Sequence, residues 1–331
     1  MKAEFTDGKI TLGPEGKSLY TNSGYGRPAG KRLALSGEEA LYLLGRDKIE
    51  LDGYDFDTLA SELSADPKFM RRFLLYRDIR ERGYVIQAGP HDFRVFRRGE
   101  KPGTGRSQFM IRVLAERDLV GFNEVLDDIA SAKNMRKQFL VGVVDDEDEI
   151  TYYEVKSNDI PEGVAENSPE TVTGILYGRS VVIKTPPESS LEKAWFGTRL
   201  DKDRLLLSPP EVLYLLEREL LKIRDTDISS FSEIAAEEDH EIESKYVVYK
   251  DLREKRQIAR TAYKFGHHFR VYSGEKKHSE LLVHALPSEE FMPMSVISRS
   301  VRLAHSVRKK MLFASVDKNN IEYIEFARIK M

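Results

Sequence analysis

With 331 residues, 40% hydrophobic and 32% charged, the chain has the make-up of a globular protein long enough for two domains with separate cores. No apolar run approaches the roughly 20 residues of a membrane span, and MKAEFTDGK leads straight into polar sequence, which predicts a cytoplasmic protein without a signal segment. Cysteine is absent, which excludes disulfides and thiolate metal sites, and a net charge of -3 excludes a uniformly basic nucleic-acid binder while leaving room for local patches.

The first strong element begins at Arg32, where RLALSGEEALYLLGRDKI carries a capping box, Ser36 with Glu39, ahead of an amphipathic Leu-Tyr-Leu-Leu helix. A second helical stretch is predicted from Asp57 to Arg82, followed by alternating strands around FRVF, which ends at Phe96. A further helix is expected to end near MRK, before a pair of strands flanking VVDDEDEIT. Five consecutive acids, Asp145, Asp146, Glu147, Asp148 and Glu149, fill the turn between those strands.

Then the elements recur in the same order. RLLLSPPEVLYLLERELLKI from Arg204 repeats the capped helix, with Ser208 and Glu211 in the box and Pro209 at the first helical position, which tolerates it. The second helical stretch is predicted again from Ser229 to Lys255. YKDLREKRQ from Tyr249 answers YRDIRERGY from Tyr76, GHHFRVY answers GPHDFRVF, and SVRKKMLFASVD from Ser306 answers NMRKQFLVGVVD from Asn134. Four matches at nearly constant offset indicate duplicated domains, since solenoid units span only about 20 to 50 residues. The chain is therefore expected to be α+β, with homologous repeats over 1–165 and 166–331 joined through the polar KSNDIPEGVAENSPE. Each repeat would hold an N-terminal mixed α/β subdomain and a C-terminal α/β subdomain built on a central mixed sheet.

The repeats differ where chemistry is possible. Period-two alternation in HFRVYS sets Phe269 and Val271 on one strand face and His268, Arg270 and Tyr272 on the other, so Tyr272 lies on the polar face. His278 falls in the turn that follows. In the helix SVISRSVRLAHSVRKK, the residues Arg302, His305 and Lys309 are predicted to share one face at spacings of three and four, with Arg302 and Lys309 about 10 Å apart. In the first repeat, the counterparts of Tyr272, His278 and Lys309 are Phe96, Arg106 and Lys137.

Taken singly, each of these residues has an ordinary explanation: a strand tyrosine, a solvated turn histidine, a basic helix end. Together they can cleave RNA. The reaction needs a base for the 2′-hydroxyl, an acid for the leaving 5′-oxygen and a cation for the phosphorane-like transition state. An imidazole, with an ordinary pKa of about 6.5, suits the acid. A phenol, at about 10, suits the base only beside a cation.

KFGHHFRVYSGEKKHSELLV followed by SVRLAHSVRKKMLFASV closely resembles the catalytic domain of archaeal tRNA-splicing endonucleases, and the whole chain resembles the two-repeat form, with a degenerate domain before an active one. The resemblance implies that the C-terminal subdomain of each repeat is nuclease-like, that Tyr272, His278 and Lys309 are catalytic and that the first repeat is structural. It implies excision of introns from precursor tRNA at bulge-helix-bulge motifs, without metal or other cofactor, leaving 2′,3′-cyclic phosphate and 5′-hydroxyl ends. It also implies that Arg302, and Arg328 in FARIKM, clamp a bulged base. The acidic loop Asp145–Glu149 would dock on a second copy, giving a homodimer with two active sites. Two other classes stay open at this point: a non-catalytic RNA-binding or assembly subunit of the same fold, and a metal-dependent nuclease. Glu243-Ser-Lys245 resembles the E-x-K fragment of such nucleases, and five of the seven histidines lie between His267 and His305. No H-E-x-x-H spacing appears, however, and His267 and His268 point to opposite strand faces, so no metal site is expected.

Overall fold

The computed structural model describes residues 1–165, 169–274 and 278–331. Residues 166–168 of the expected linker and 275–277 of the SGEKK turn lie outside the described residues.

Each repeat starts with a five-stranded sheet. In the first it runs Arg27–Ala29, Arg32–Leu35, Lys9–Leu12, Lys2–Thr6, Glu50–Leu51, and in the second Thr198–Asp201, Arg204–Leu207, Ser180–Lys184, Val172–Tyr177, Leu221–Ile223. The capped helices Gly37–Leu44 and Pro209–Glu217 pack on these sheets, and both capping boxes form. Each box glutamate is buried and makes a further bond: Glu39 accepts from the Gly26 N–H and Glu211 from the Gly197 N–H, both at 2.8 Å. The carboxylates thus fix the helix start to the chain entering the edge strand, Arg27–Ala29 or Thr198–Asp201, which local sequence rules do not foresee.

The long helical stretches differ from expectation. Each is two helices, Phe56–Leu63 with Phe69–Glu81, and Ile228–Glu238 with Ile242–Glu254. Ser64-Ala65-Asp66-Pro67 and Asp239-His240-Glu241 interrupt them; the first run is rich in residues that favour turns over helix interiors.

The C-terminal halves of the two repeats build one ten-stranded sheet. Its order is Ile258–Ala262, His267–Tyr272, Leu281–Pro287, Lys310–Asp317, Asn320–Ile329, then Ile150–Ser157, Gln138–Val144, Ser107–Ala115, Phe93–Phe96, Ile86–Ala88. The seam is antiparallel pairing of the last strand of each repeat, Tyr153 opposite Arg328 and Val155 opposite Phe326. A second pair of equivalent strands, Leu119–Gly121 and Phe291–Pro293, also joins antiparallel. Antiparallel pairing of equivalent strands relates the halves by an approximate two-fold axis.

One core spans the seam. Val125, Ile129, Phe139 and Val155 of the first repeat pack with Ile297, Val301, Phe313 and Phe326 of the second, between the sheet and helices Phe122–Asn134 and Met294–Ser306. The opposite sheet face of the second repeat, with Phe269, Val271, Val283 and Leu312, packs on helix Ile242–Glu254. The segment after the seam strand packs back on the second repeat, where the Gly163 N–H donates to Lys255 O at 2.7 Å and the Ala165 N–H to Arg256 O at 2.9 Å. Among the described residues no helix is long and apolar enough to cross a membrane.

Candidate active site

Sheet register brings the chemistry-bearing residues of the second repeat to one end of three strands. Val271 stands opposite Leu281, and Leu281 beside Lys310. Just outward, the Glu280 N–H donates to Val271 O at 2.9 Å and the Lys310 N–H to Glu280 O at 3.0 Å. Tyr272, Glu280 and Lys309 therefore form the next row. With strands about 4.8 Å apart, Tyr272 and Lys309 are separated by roughly 10 Å along that row.

The expected alternation of HFRVY is present: His267, Phe269 and Val271 are buried, and His268, Arg270 and Tyr272 half-buried. Because Arg270 is opposite Leu282 of the seam core, Arg270 and Tyr272 lie on the sheet side covered by helix Met294–Ser306. The Arg270 guanidinium carbon is 5.9 Å from the Tyr272 ring centroid. His278 is exposed, beside the buried Ser279.

Lys309 is not on the helix, contrary to the spacing argument. Helix Met294–Ser306 ends with Arg308 in the left-handed region at φ 56°, and the Lys309 N–H donates back to Ala304 O at 2.8 Å. This is the six-to-one bond of a Schellman ending. It turns the chain into strand Lys310–Asp317 and delivers Lys309 to the row of strand ends, so the helical face through Arg302 and His305 does not extend to it. The Lys309 ammonium donates to Ser279 O at 2.5 Å. Partial burial, then the charges of Arg270 and Lys264, lower its pKa from the ordinary lysine value.

The first repeat repeats this framework with Phe96 in the place of Tyr272. Arg136 takes φ 55°, the Lys137 N–H donates to Ala132 O at 2.9 Å, and its ammonium donates to Ser107 O at 3.0 Å and Ser107 Oγ at 2.6 Å. Lys137 therefore has a structural task that explains its presence beside Phe96 and Arg106. The serine acceptors, Ser107 and Ser279, stand 172 apart (279 − 107) like the lysines, a signal available in the sequence.

An open cleft of about 1290 Å³ lies at these strand ends, lined by His278, His305, Lys309 and Lys310 and by Asn158 and Pro161 of the inter-repeat segment. The sequence placed Asn158 and Pro161 only in the joining segment, with no part in the site. Tyr272, Arg302 and Arg328 are not among the lining residues. Arg302 is exposed on its helix. Arg328, also exposed, is opposite Tyr153 and two residues from Phe326, both of the seam core, so it shares the sheet side of that helix.

The acidic turn holds itself in shape. Asp145 Oδ1 accepts from the N–H groups of Glu147 and Glu149 at 3.0 and 2.9 Å, while Asp146, Glu147, Asp148 and Glu149 are exposed and Asp146 pairs with Arg117.

Strand alternation separates His267 from His268, as expected, yet tertiary packing gathers Glu241, His268 and His284 within 4.8 Å. The arrangement fits a hydrogen-bond network better than a metal. The Ala285 N–H donates to His268 Nδ1 at 3.0 Å, which leaves the ring proton on Nε2, 3.5 Å from Glu241. Lys245 already neutralises Glu241 at 2.9 Å and Asp239 at 2.9 Å, so Glu243-Ser-Lys245 does not act as a unit. Asp92 makes the equivalent bond in the first repeat, accepting from the Val113 N–H at 2.7 Å. Burial, then neighbouring His284, pushes the His268 pKa down to about 3, which keeps the acceptor nitrogen unprotonated.

Residues 69–152 and 242–323 match the family described as the tRNA intron endonuclease, catalytic C-terminal domain, and residues 1–62 and 172–235 match its N-terminal domain. The chain belongs to the tRNA intron endonuclease family. It is 39% identical over 352 residues to a tRNA-splicing endonuclease of Methanosarcina barkeri and 36% over 351 residues to one of Methanococcoides burtonii, each covering 100% of both chains. A Haloferax volcanii protein of the same name is 30% identical over 355 residues, with 99% of each chain covered. The two-repeat reading and an enzyme acting on tRNA thus stand on the whole length of the chain.

Proposed function

We propose that this tRNA-splicing endonuclease cuts precursor tRNA at bulge-helix-bulge motifs by a metal-independent transesterification in the second repeat, residues 166–331, with residues 1–165 as structural partner. The observation that carries the reading is the row of strand ends. It brings Tyr272 and Lys309 within two strand spacings, with His278 just beyond, while the same row of the first repeat holds Phe96 beside Lys137, a lysine bound to its serine as Lys309 is.

In this mechanism Tyr272 takes the proton of the 2′-hydroxyl, the 2′-oxygen attacks phosphorus, and the bond to the 5′-oxygen breaks. His278 gives its proton to that oxygen, and Lys309 stabilises the negative charge on the non-bridging oxygens. The products are a 2′,3′-cyclic phosphate and a 5′-hydroxyl. Arg302 and Arg328 stack on a bulged base, whose identity a guanidinium plane does not read.

An RNA with 2′-deoxyribose at the scissile position is expected to resist cleavage, and the all-ribose RNA to be cut in excess EDTA with cyclic-phosphate ends. Cleavage of the deoxy substrate would sink the mechanism, and loss of activity in EDTA would favour the metal-dependent alternative. A protein that binds but never cuts would be the non-catalytic subunit.

The exposed acids of the 145–149 turn are proposed to dock on a second copy, making a cytoplasmic homodimer. Sedimentation of the Asp146→Asn, Asp148→Asn double variant should show a larger monomer fraction. An unchanged profile would leave the turn a solvated hairpin. Asp145 is left intact because its carboxylate holds the loop backbone.

A further inference from the structure

The two repeats treat one arginine differently. In FRVF, Arg94 stands opposite Gln87 on the neighbouring strand and donates to Gln87 Oε1 at 2.7 Å. The amide nitrogen of Gln87 donates in turn to Gly24 O and Gly26 O at 3.0 and 2.8 Å. One neutral side chain therefore ties the strand to the N-terminal subdomain and also holds the arginine.

In FRVY the place of Gln87 is taken by Arg260, opposite Arg270. Arg260 performs the first task, donating to Trp195 O at 3.1 Å and Gly197 O at 2.7 Å. It cannot perform the second, because a guanidinium has no acceptor. Among the described residues Arg270 has no hydrogen-bond acceptor or ion-pair partner, and its Nε is buried without one. The Arg94 Nε is likewise unpaired, so the difference lies in the terminal nitrogen that Gln87 holds.

Like charges directly opposite on antiparallel strands repel, which favours an anion beside them. Arg270 is two residues from Tyr272 on the same strand face, and its charge reaches Lys309. A guanidinium freed in this way presents its fork to a phosphate.

We propose that Arg270 binds a non-bridging phosphate oxygen of the RNA backbone at the cleavage position, and that Arg260, by standing where the first repeat has glutamine, keeps it free to do so. Arg270 is then a phosphate-binding residue of the site and Arg260 a positioning residue. The inference rests on Tyr272, His278 and Lys309 being the reaction centre.

The test uses the full-length protein, a bulged precursor tRNA, single-turnover rates and melting temperatures. Arg270→Gln is expected to slow cleavage by roughly a hundredfold, the scale of losing one transition-state donor, with partial recovery in Arg270→Lys. Arg260→Gln should be slow as well although Arg270 remains, because the new amide can hold Arg270 as Gln87 holds Arg94 while keeping its bonds to Trp195 and Gly197. Gln87→Arg in the first repeat should leave the rate unchanged. Arg270→Gln cleaving within a few fold of wild type would overturn the inference. So would Arg260→Gln at full rate, or a slow Arg270→Gln that melts early and that lysine does not rescue. Normal cleavage by a His278 variant would instead remove the reaction centre on which the inference depends, so the two failures are distinguishable.

Discussion

His278→Ala is expected to slow cleavage of a bulged precursor tRNA by roughly a hundredfold or more, the scale of losing a positioned general acid. The fold should hardly notice, because His278 is exposed and a surface substitution away from packing usually changes stability within about 0.5 kcal/mol. That separation makes the experiment decisive: a slow variant with an unshifted melting curve has lost chemistry and nothing else. The comparison is sharper with a substrate whose 5′-leaving oxygen is replaced by sulfur. A thiolate leaves without a proton, so the His278→Ala defect should largely disappear on that substrate. A defect of equal size on both substrates would take His278 out of the acid role and leave it a binding residue. A rate within a few fold of wild type on the ordinary substrate would take it out of the site.

What the sequence discloses and what it hides follow from the range of the interactions concerned. The capping boxes Ser36/Glu39 and Ser208/Glu211 are legible because every partner lies within four residues. The alternation that sets Tyr272 apart from Val271 is legible for the same reason. Lys309 leaving its helix is not, because the left-handed position before it holds Arg308 where a glycine would have signalled the stop. The gathering of Glu241, His268 and His284 draws on three separate elements, and neighbouring-residue geometry says nothing about it. Sheet register hides most. That Gln87 faces Arg94, and Arg260 faces Arg270, depends on how two strands slide against each other, although Arg94 and Arg270 sit in stretches whose repetition is plain. Duplication partly compensates, since each repeat supplies the other with an internal control.

Lys309→Met and Lys137→Met use that control directly. Both lysines follow an arginine in the left-handed region, and both donate from the ammonium to the carbonyl of a serine 30 residues upstream, Ser279 and Ser107. Methionine keeps the length of the stem and removes the donor, so each variant loses the charged hydrogen bond to its serine carbonyl, and Lys137→Met also loses the one to Ser107 Oγ. Such a bond contributes about 1.5 to 3 kcal/mol when well buried and less at these half-buried sites. Similar modest drops in melting temperature are therefore expected for the two. Their activities should part company. Lys309→Met also removes the cation facing the transition state and is expected to lose roughly a hundredfold or more in rate, whereas Lys137→Met should cleave at nearly the wild-type rate once corrected for the folded fraction. Equal activity losses would mean that the lysine acts through the shared framework alone. An active Lys309→Met would mean that the reaction takes its cation from elsewhere in the same cluster, where Arg270 and Lys264 are the groups whose charge already reaches that position.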